Sequence, residues 1–311
     1  MTTHLTPETR SILDAMEGLG LPPLHTLTPG EARHMRAEAA RLAAAIDVET
    51  VFSVHDERLE GLGAPLAVRI YEPEGWTAGT GSIAYFHGGG WVLGNLDTHD
   101  ALCRCLANAS HLRVMSVDYR LAPEAKHPAA IEDAWVATSW LSQLESGPLI
   151  VGGDSCGGHI ATAVAARSRT SDMAIAAQLL VYPVTDLSQF ERGSYETYAE
   201  GHWLTKASMG WFRDHYLHVA DVRTDAEVSP VCREDLAEMP PAVIVAAACD
   251  VLVDEGLAYA DRLKQAGCTV EYRSWAGVIH GFVAMPGILP EGREALQWAA
   301  IELRRLSGLV S

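Results

Sequence analysis

The sequence predicts an α/β fold, a mainly parallel sheet with helices on both faces. Three observations carry this. Short apolar runs alternate with helical segments along most of the chain, which is the pattern of a parallel sheet. The run Pro148-Leu149-Ile150-Val151-Gly152 leads into Gly153-Asp154-Ser155-Cys156-Gly157, and a helix begins near His159. The strand-like Ser82-Ile83-Ala84-Tyr85-Phe86 leads into His87-Gly88-Gly89-Gly90-Trp91. Sheets of this kind carry their sites beyond the carboxyl ends of the strands, and both glycine-rich motifs fall at such ends.

In chain order, residues 1 to about 45 read as helical. Thr28, Pro29 and Glu31 fit an N-cap, a first-turn proline and a capping-box acid. Apolar residues then recur at helical spacing through Met35, Ala39, Leu42 and Ile46. Strands are expected at Val51–Val54, Leu66–Tyr71, Ile83–Phe86, Val114–Val117 and Leu149–Val151. Three more follow at Leu179–Val181, Val243–Ala247 and Thr269–Arg273. Residues 186–229 interrupt the alternation and are long for a simple crossover. Their aromatics, Phe190, Tyr195, Tyr198, Trp203, Trp211, Phe212 and Tyr216, suit a lid over an apolar pocket.

The bulk numbers exclude several classes. The 311 residues carry a net charge of −17 and no Lys/Arg-rich run. That argues against nucleic acid and anionic membrane surfaces, since both need clustered cations. No stretch is long and apolar enough to span a bilayer. The start, Met1-Thr2-Thr3-His4-Leu5, lacks a basic segment leading into an apolar one, so a cytoplasmic location is expected. The six cysteines, at 103, 105, 156, 232, 249 and 268, are then expected as reduced thiols. Cys103 and Cys105 would point to different faces of one helix, and no metal site is expected.

The chemistry follows from the two motifs. A serine on a tight strand-to-helix turn is held clear of the backbone at a helix N-terminus, with glycines leaving room around it. Ser155 has this position. Consecutive glycines at a strand end expose backbone N–H groups, which suits stabilisation of a developing oxyanion, worth about 3–4 kcal/mol per donor. A serine hydroxyl needs a base, and the base an orienting acid. Of the 13 histidines, His280 follows the last strand and precedes Gly281, so its loop can reach the serine. His87 opens the glycine loop and is read as pinning it; His159 lies within the helix after Ser155. Asp250, at the end of the Val243–Cys249 run, is the acid of choice, with Asp254 and Glu255 as alternatives. A neutral base is required, so activity should fall in acid as His280 protonates.

With these residues in place, the chain resembles the bacterial hormone-sensitive lipase family, the family IV carboxylesterases of the α/β-hydrolases. The resemblance rests on His87 to Trp91, Asp118-Tyr119-Arg120-Leu121-Ala122-Pro123-Glu124, Gly153 to Gly158, Asp250 to Glu255, and His280-Gly281-Phe282. It implies an α/β-hydrolase fold with an eight-stranded, mostly parallel sheet flanked by helices. Residues 46–185 and 230–311 would form the core, and residues 1–45 with 186–229 a helical cap. It implies a serine carboxylesterase acting on small-molecule, short-to-medium acyl esters without a cofactor. The Ser155…Asp250…His280 order is that of these hydrolases. Gly88, Gly89 and Cys156 would supply the oxyanion N–H groups, and Trp91, Tyr182, Trp203, Leu204, Phe212 and Phe282 the pocket. Arg120 would anchor a network bracing the oxyanion loop. Some relatives dimerise through a sheet edge, which marks Thr269 to Ala276 as a candidate homodimer surface.

Two positions depart from the family pattern. Cys156 stands where alanine is usual; its thiol is either a candidate for reaction with thiol reagents or a buried, inert small side chain. Val251 stands where proline is common. Rival chemistries on the same residues are amide and thioester hydrolysis and deacetylation. A purely binding role, as in the plant gibberellin receptors that resemble this family but lack a functional histidine, is opposed by His280.

Overall fold

The computed structural model describes residues 4–43, 48–144 and 146–309. Ile46 and the expected boundary at residues 45 and 46 lie outside the described residues. Eight strands form one sheet: β1 (Ser53–Leu59), β2 (Leu66–Glu72), β3 (Ser82–Phe86), β4 (Arg113–Val117), β5 (Leu149–Asp154), β6 (Ala177–Val181), β7 (Ala242–Cys249) and β8 (Val270–Ile279). Their order is β1-β2-β4-β3-β5-β6-β7-β8. β2 runs antiparallel to both β1 and β4, and the remaining pairs are parallel. The chain therefore has the expected α/β-hydrolase architecture.

Strand residues point alternately to two apolar layers. In β3, Ile83 and Tyr85 join one layer and Ala84 and Phe86 the other; in β7, Val243, Val245 and Ala247 oppose Ala242 and Ile244. One layer is covered by α3 (Asp100–Ser110) and α9 (Pro290–Leu306), and the other by α4 (Ala129–Leu144), α5 (Cys156–Ser168) and α8 (Val253–Gln265). Burial on both faces explains why the central strands read as continuous apolar runs.

Both outermost strands differ from expectation. β1 lies at Ser53–Leu59, downstream of the expected Val51–Val54. It pairs only with β2, so its outer residues meet water and its sequence is polar; Asp56 Oδ1 pairs with Arg69 Nε at 2.7 Å. β8 runs to Ile279, past the expected Arg273, through Gly277 at φ 74°. Between Ala247↔Trp275 and Cys249↔Ile279 the pairing advances two residues on β7 and four on β8. This bulge lets β8 end level with β7. β8 has one neighbouring strand, so its outer edge at Thr269 to Ala276 has no strand partner among the described residues.

The N-terminal segment contributes α1 (Pro7–Gly18) and α2 (Pro29–Ala43). The capping box is present: Thr28 N–H donates to Glu31 Oε2 at 2.9 Å and Glu31 N–H to Thr28 Oγ1 at 3.4 Å. The insertion at 186–229 holds α6 (Gly193–Thr197) and α7 (Lys206–Tyr216). The two segments touch, since Trp211 Nε1–H donates to Leu27 O at 3.1 Å. No described helix is long and apolar enough to cross a membrane.

Candidate active site

Five strands deliver the site. Phe86, Asp154, Val181, Cys249 and Ile279 each end a strand. The register aligns Phe86 with Gly153, Asp154 with Val181, and Cys249 with Ile279. The residues that follow, His87, Ser155, Tyr182, Asp250 and His280, therefore leave the sheet along one line.

Ser155 sits between β5 and α5 at φ 57° and ψ −121°, a conformation costing about 1–3 kcal/mol for a residue with a side chain. Its N–H donates to Val181 O at 2.8 Å, and its carbonyl accepts from Gly158 and Val184, each at 3.1 Å. These bonds hold the turn. A Cβ on Gly157 would strike Phe86 O, and one on Gly153 would strike Gly157, so both glycines are required by close backbone approach.

Ser155 Oγ lies 3.0 Å from His280 Nε2, and His280 Nδ1–H donates to Asp250 Oδ2 at 2.7 Å. The carboxylate bond leaves Nε2 as the lone-pair nitrogen facing the hydroxyl. Asp250 is 1% exposed, and its Oδ1 accepts from Leu252 N–H at 3.1 Å. Ser155 and His280 each keep 7% of their surface accessible, so the opening above them is narrow. The alternative acids are committed elsewhere. Asp254 Oδ2 accepts from Ser194 N–H at 2.8 Å, at the start of α6. Glu255 Oε1 accepts from Thr185 N–H at 2.8 Å and Asp186 N–H at 3.2 Å.

The glycine loop is held from several sides. His87 Nδ1–H donates to Gly88 O at 2.9 Å, and its ring stacks on Tyr119 at 4.3 Å. Burial pulls the His87 imidazole down to about 3, so it stays neutral. The Gly88 N–H donates to Asp154 Oδ1 at 3.0 Å, and His99 Nε2–H donates to Asp154 Oδ2 at 3.3 Å. That corrects the expectation for Gly88. Its N–H is committed to a buried carboxylate and is not free for an oxyanion. Burial alone would raise the Asp154 pKa, but the charge and hydrogen bond of His99 and the Tyr85 hydroxyl hold it below its ordinary value. The N–H groups of Gly89 and Cys156 donate in none of the hydrogen bonds described.

The Arg120 expectation is also corrected. Arg120 Nε binds Asp133 Oδ2 at 2.8 Å and ties its turn to α4. The glycine loop itself is braced by neighbours of Arg120: Tyr119 Oη–H donates to His87 O at 2.7 Å, and Ala122 N–H to Trp91 O at 2.8 Å. Arg33 of α2, which sequence reasoning missed, donates to Val92 O and Ala122 O, each at 2.8 Å, and pairs with Glu124. Its only sequence signal is a cation within an otherwise ordinary amphipathic helix.

The six expected pocket residues divide. The Tyr182 ring lies 4.4 Å from the His280 ring. Phe212 covers Gly90 so closely that a Cβ there would enter its ring. The Trp203 indole crosses Gly281, with Nε1 3.5 Å from where a side chain would begin. Trp91 and Phe282 are 0% exposed and back the site without lining it. Trp91 stacks on Tyr216 at 4.2 Å, and its Nε1–H donates to His159 Nδ1 at 3.3 Å. Leu204 is buried in the apolar core. Cys156 Sγ accepts from Trp91 N–H at 3.2 Å; burial pushes its thiol up to about 12.

Comparison with known proteins places the chain among esterases of the same fold. The alpha/beta hydrolase fold family matches residues 83–284. A carboxylic ester hydrolase of Mycobacterium tuberculosis is 39% identical over 243 residues, which are 74% of this chain and 64% of that protein. An ethyl acetate hydrolase of Pseudomonas putida is 37% identical over 287 residues, covering 88% of this chain and 89% of the relative. The crystal structure of a thermostable esterase from Pseudomonas putida superposes with a TM-score of 0.91 at 34% identity, covering 98% of each chain.

Proposed function

The chain belongs to the alpha/beta hydrolase fold family, among its hormone-sensitive-lipase-like carboxylic ester hydrolases, and we propose that it cleaves short-to-medium acyl esters through Ser155, His280 and Asp250. The observation that carries this reading is the Ser155 Oγ–His280 Nε2–Asp250 chain, at 3.0 Å and 2.7 Å. As Ser155 Oγ attacks the ester carbonyl, its proton passes to His280 Nε2. Asp250 fixes the imidazole tautomer and stabilises the imidazolium. The carbonyl oxygen becomes an oxyanion that the N–H groups of Gly89 and Cys156 receive. Collapse breaks the carbon–oxygen bond to the alcohol, which leaves with the proton from His280. A water molecule then gives its proton to His280 and its oxygen to the acyl carbon, which releases the acid and restores Ser155.

The N-terminal helices and the 186–229 insertion act as the cap in this reading. Tyr182 beside His280, Phe212 over Gly90 and Trp203 over Gly281 leave little room around the site, which supports short acyl groups. The test is hydrolysis of p-nitrophenyl esters from acetate to palmitate by the wild type and Ser155→Ala. The expected outcome is a rate that peaks at short chains and falls at least about 10⁴-fold in the variant. Retained activity in Ser155→Ala, or a peak at palmitate, contradicts the reading.

A further inference from the structure

One charged group beside the triad has no task in this mechanism. Arg36 of α2 makes none of the hydrogen bonds or ion pairs described; its guanidinium carbon lies 5.6 Å from the Trp203 ring centre. Trp203 in turn crosses Gly281, the residue after His280. The guanidinium is close enough to feel the charge of Asp154, the residue before Ser155, and the hydroxyl of Tyr182, whose ring packs on His280. Arg36 is thus a half-buried cation at the mouth of the site.

No carboxylate among the described residues pairs with it, although 40 acidic residues face 23 basic ones in this chain. Other arginines near the site have found carboxylates: Arg33 pairs with Glu124, Arg69 with Asp56, and Arg120 with Asp133. Burial lowers the Arg36 pKa, opposed by Asp154 and Tyr182, yet a guanidinium keeps its charge at any working pH. A half-buried guanidinium that makes no described hydrogen bond has N–H donors to offer an acceptor. The planar fork of a guanidinium matches a carboxylate in two parallel hydrogen bonds. Carboxylates from solvent would otherwise meet a chain of net charge −17 and the acids of the site itself.

We propose that Arg36 is a specificity residue that receives a carboxylate carried by the substrate, so that the preferred substrates are monoesters bearing a free carboxylate. This rests on the reading of Ser155 as the ester-cleaving nucleophile. The test uses two pairs of single esters of matched shape. 4-Acetoxybenzoate against 4-acetoxybenzamide places the charge on the alcohol side. Mono-p-nitrophenyl adipate against p-nitrophenyl hexanoate places it on the acyl side. The quantity read is the ratio of kcat/KM, charged over neutral, in the wild type, Arg36→Gln and Arg36→Lys. Comparing one ratio between variants cancels the intrinsic reactivity of each ester. In at least one pair the ratio should fall about 10- to 100-fold in Arg36→Gln, and Arg36→Lys should lie between. A role limited to latching α2 onto Trp203 would lower both members equally. An unchanged ratio in both pairs overturns the proposal while leaving ester hydrolysis standing. No hydrolysis of any of the four esters by folded wild type overturns the esterase reading, and the proposal with it.

Discussion

At the scale of single residues, Ser155 shows how a strained conformation is sustained by its surroundings. Its left-handed φ persists because β6 accepts its N–H and α5 and the Val184 backbone donate to its carbonyl. That Ser155, His280 and Asp250 could meet was legible in the sequence, because each lies beyond an expected strand and the turn residues beside them are distinctive. The fate of Gly88 was not. Its N–H is claimed by Asp154 from the neighbouring strand, and no spacing rule reveals a cross-strand hydrogen bond. Cys156 was legible in place, and its character stood between two readings. Sequence alone allowed a reactive thiol; the folded chain encloses it, 0% exposed, with its pKa pushed up to about 12 by burial. A thiol without thiolate character and without access is inert. Iodoacetamide should leave the native enzyme fully active, and Cys156→Ala should stay within a few-fold of wild-type kcat. Inactivation by the reagent that the alanine variant escapes would contradict this.

At the scale of elements, the ends of β7 and β8 matter most. Without the extra residues around Gly277, β8 would end out of step with β7, and His280 would not stand beside Asp250. The expected strand ends at Arg273, whereas β8 continues through Gly277, a residue that weakens a strand signal, to Ile279. The first turn of α8 also binds the insertion, through Asp254 and Glu255. Glu255 is 0% exposed; burial, with Asp186 nearby, raises its carboxyl to about 8 despite the backbone donors of Thr185 and Asp186. The unfolded chain releases this proton near 4.5. Between those pH values the folded state holds the extra proton, so this group costs stability increasingly as pH rises. Glu255→Gln keeps the acceptor oxygen for Thr185 and Asp186 and cannot ionise. Urea unfolding at pH 5, 7 and 8 should show the variant gaining on the wild type as pH rises, by about 1–3 kcal/mol at the top of the range. A gap that stays constant or shrinks would contradict the assignment.

At the scale of the whole molecule, the alternation of strand and helix carried most of the architecture, since burial on both sheet faces leaves a strong apolar signal. It failed at the edges, where β1 is polar because water covers it. The lid aromatics were visible as a cluster, but their partners were not. Trp91 and Tyr216 stack on each other, while Trp203 leans over His280's neighbour Gly281. Which aromatic faces the site depends on how the insertion meets α2, a contact between segments far apart in sequence. The same contact brings Arg36 and Arg33 to the site from the N-terminal helix. The central claim is that all of this converges on one nucleophile. It is tested most directly by titrating the enzyme with a p-nitrophenyl alkylphosphonate and mapping the adduct by peptide mass spectrometry. One phosphonyl group per chain, on the peptide holding Ser155, with activity lost in proportion, is the predicted result. Full activity with Ser155 modified, or inactivation with the adduct on another residue, would contradict it.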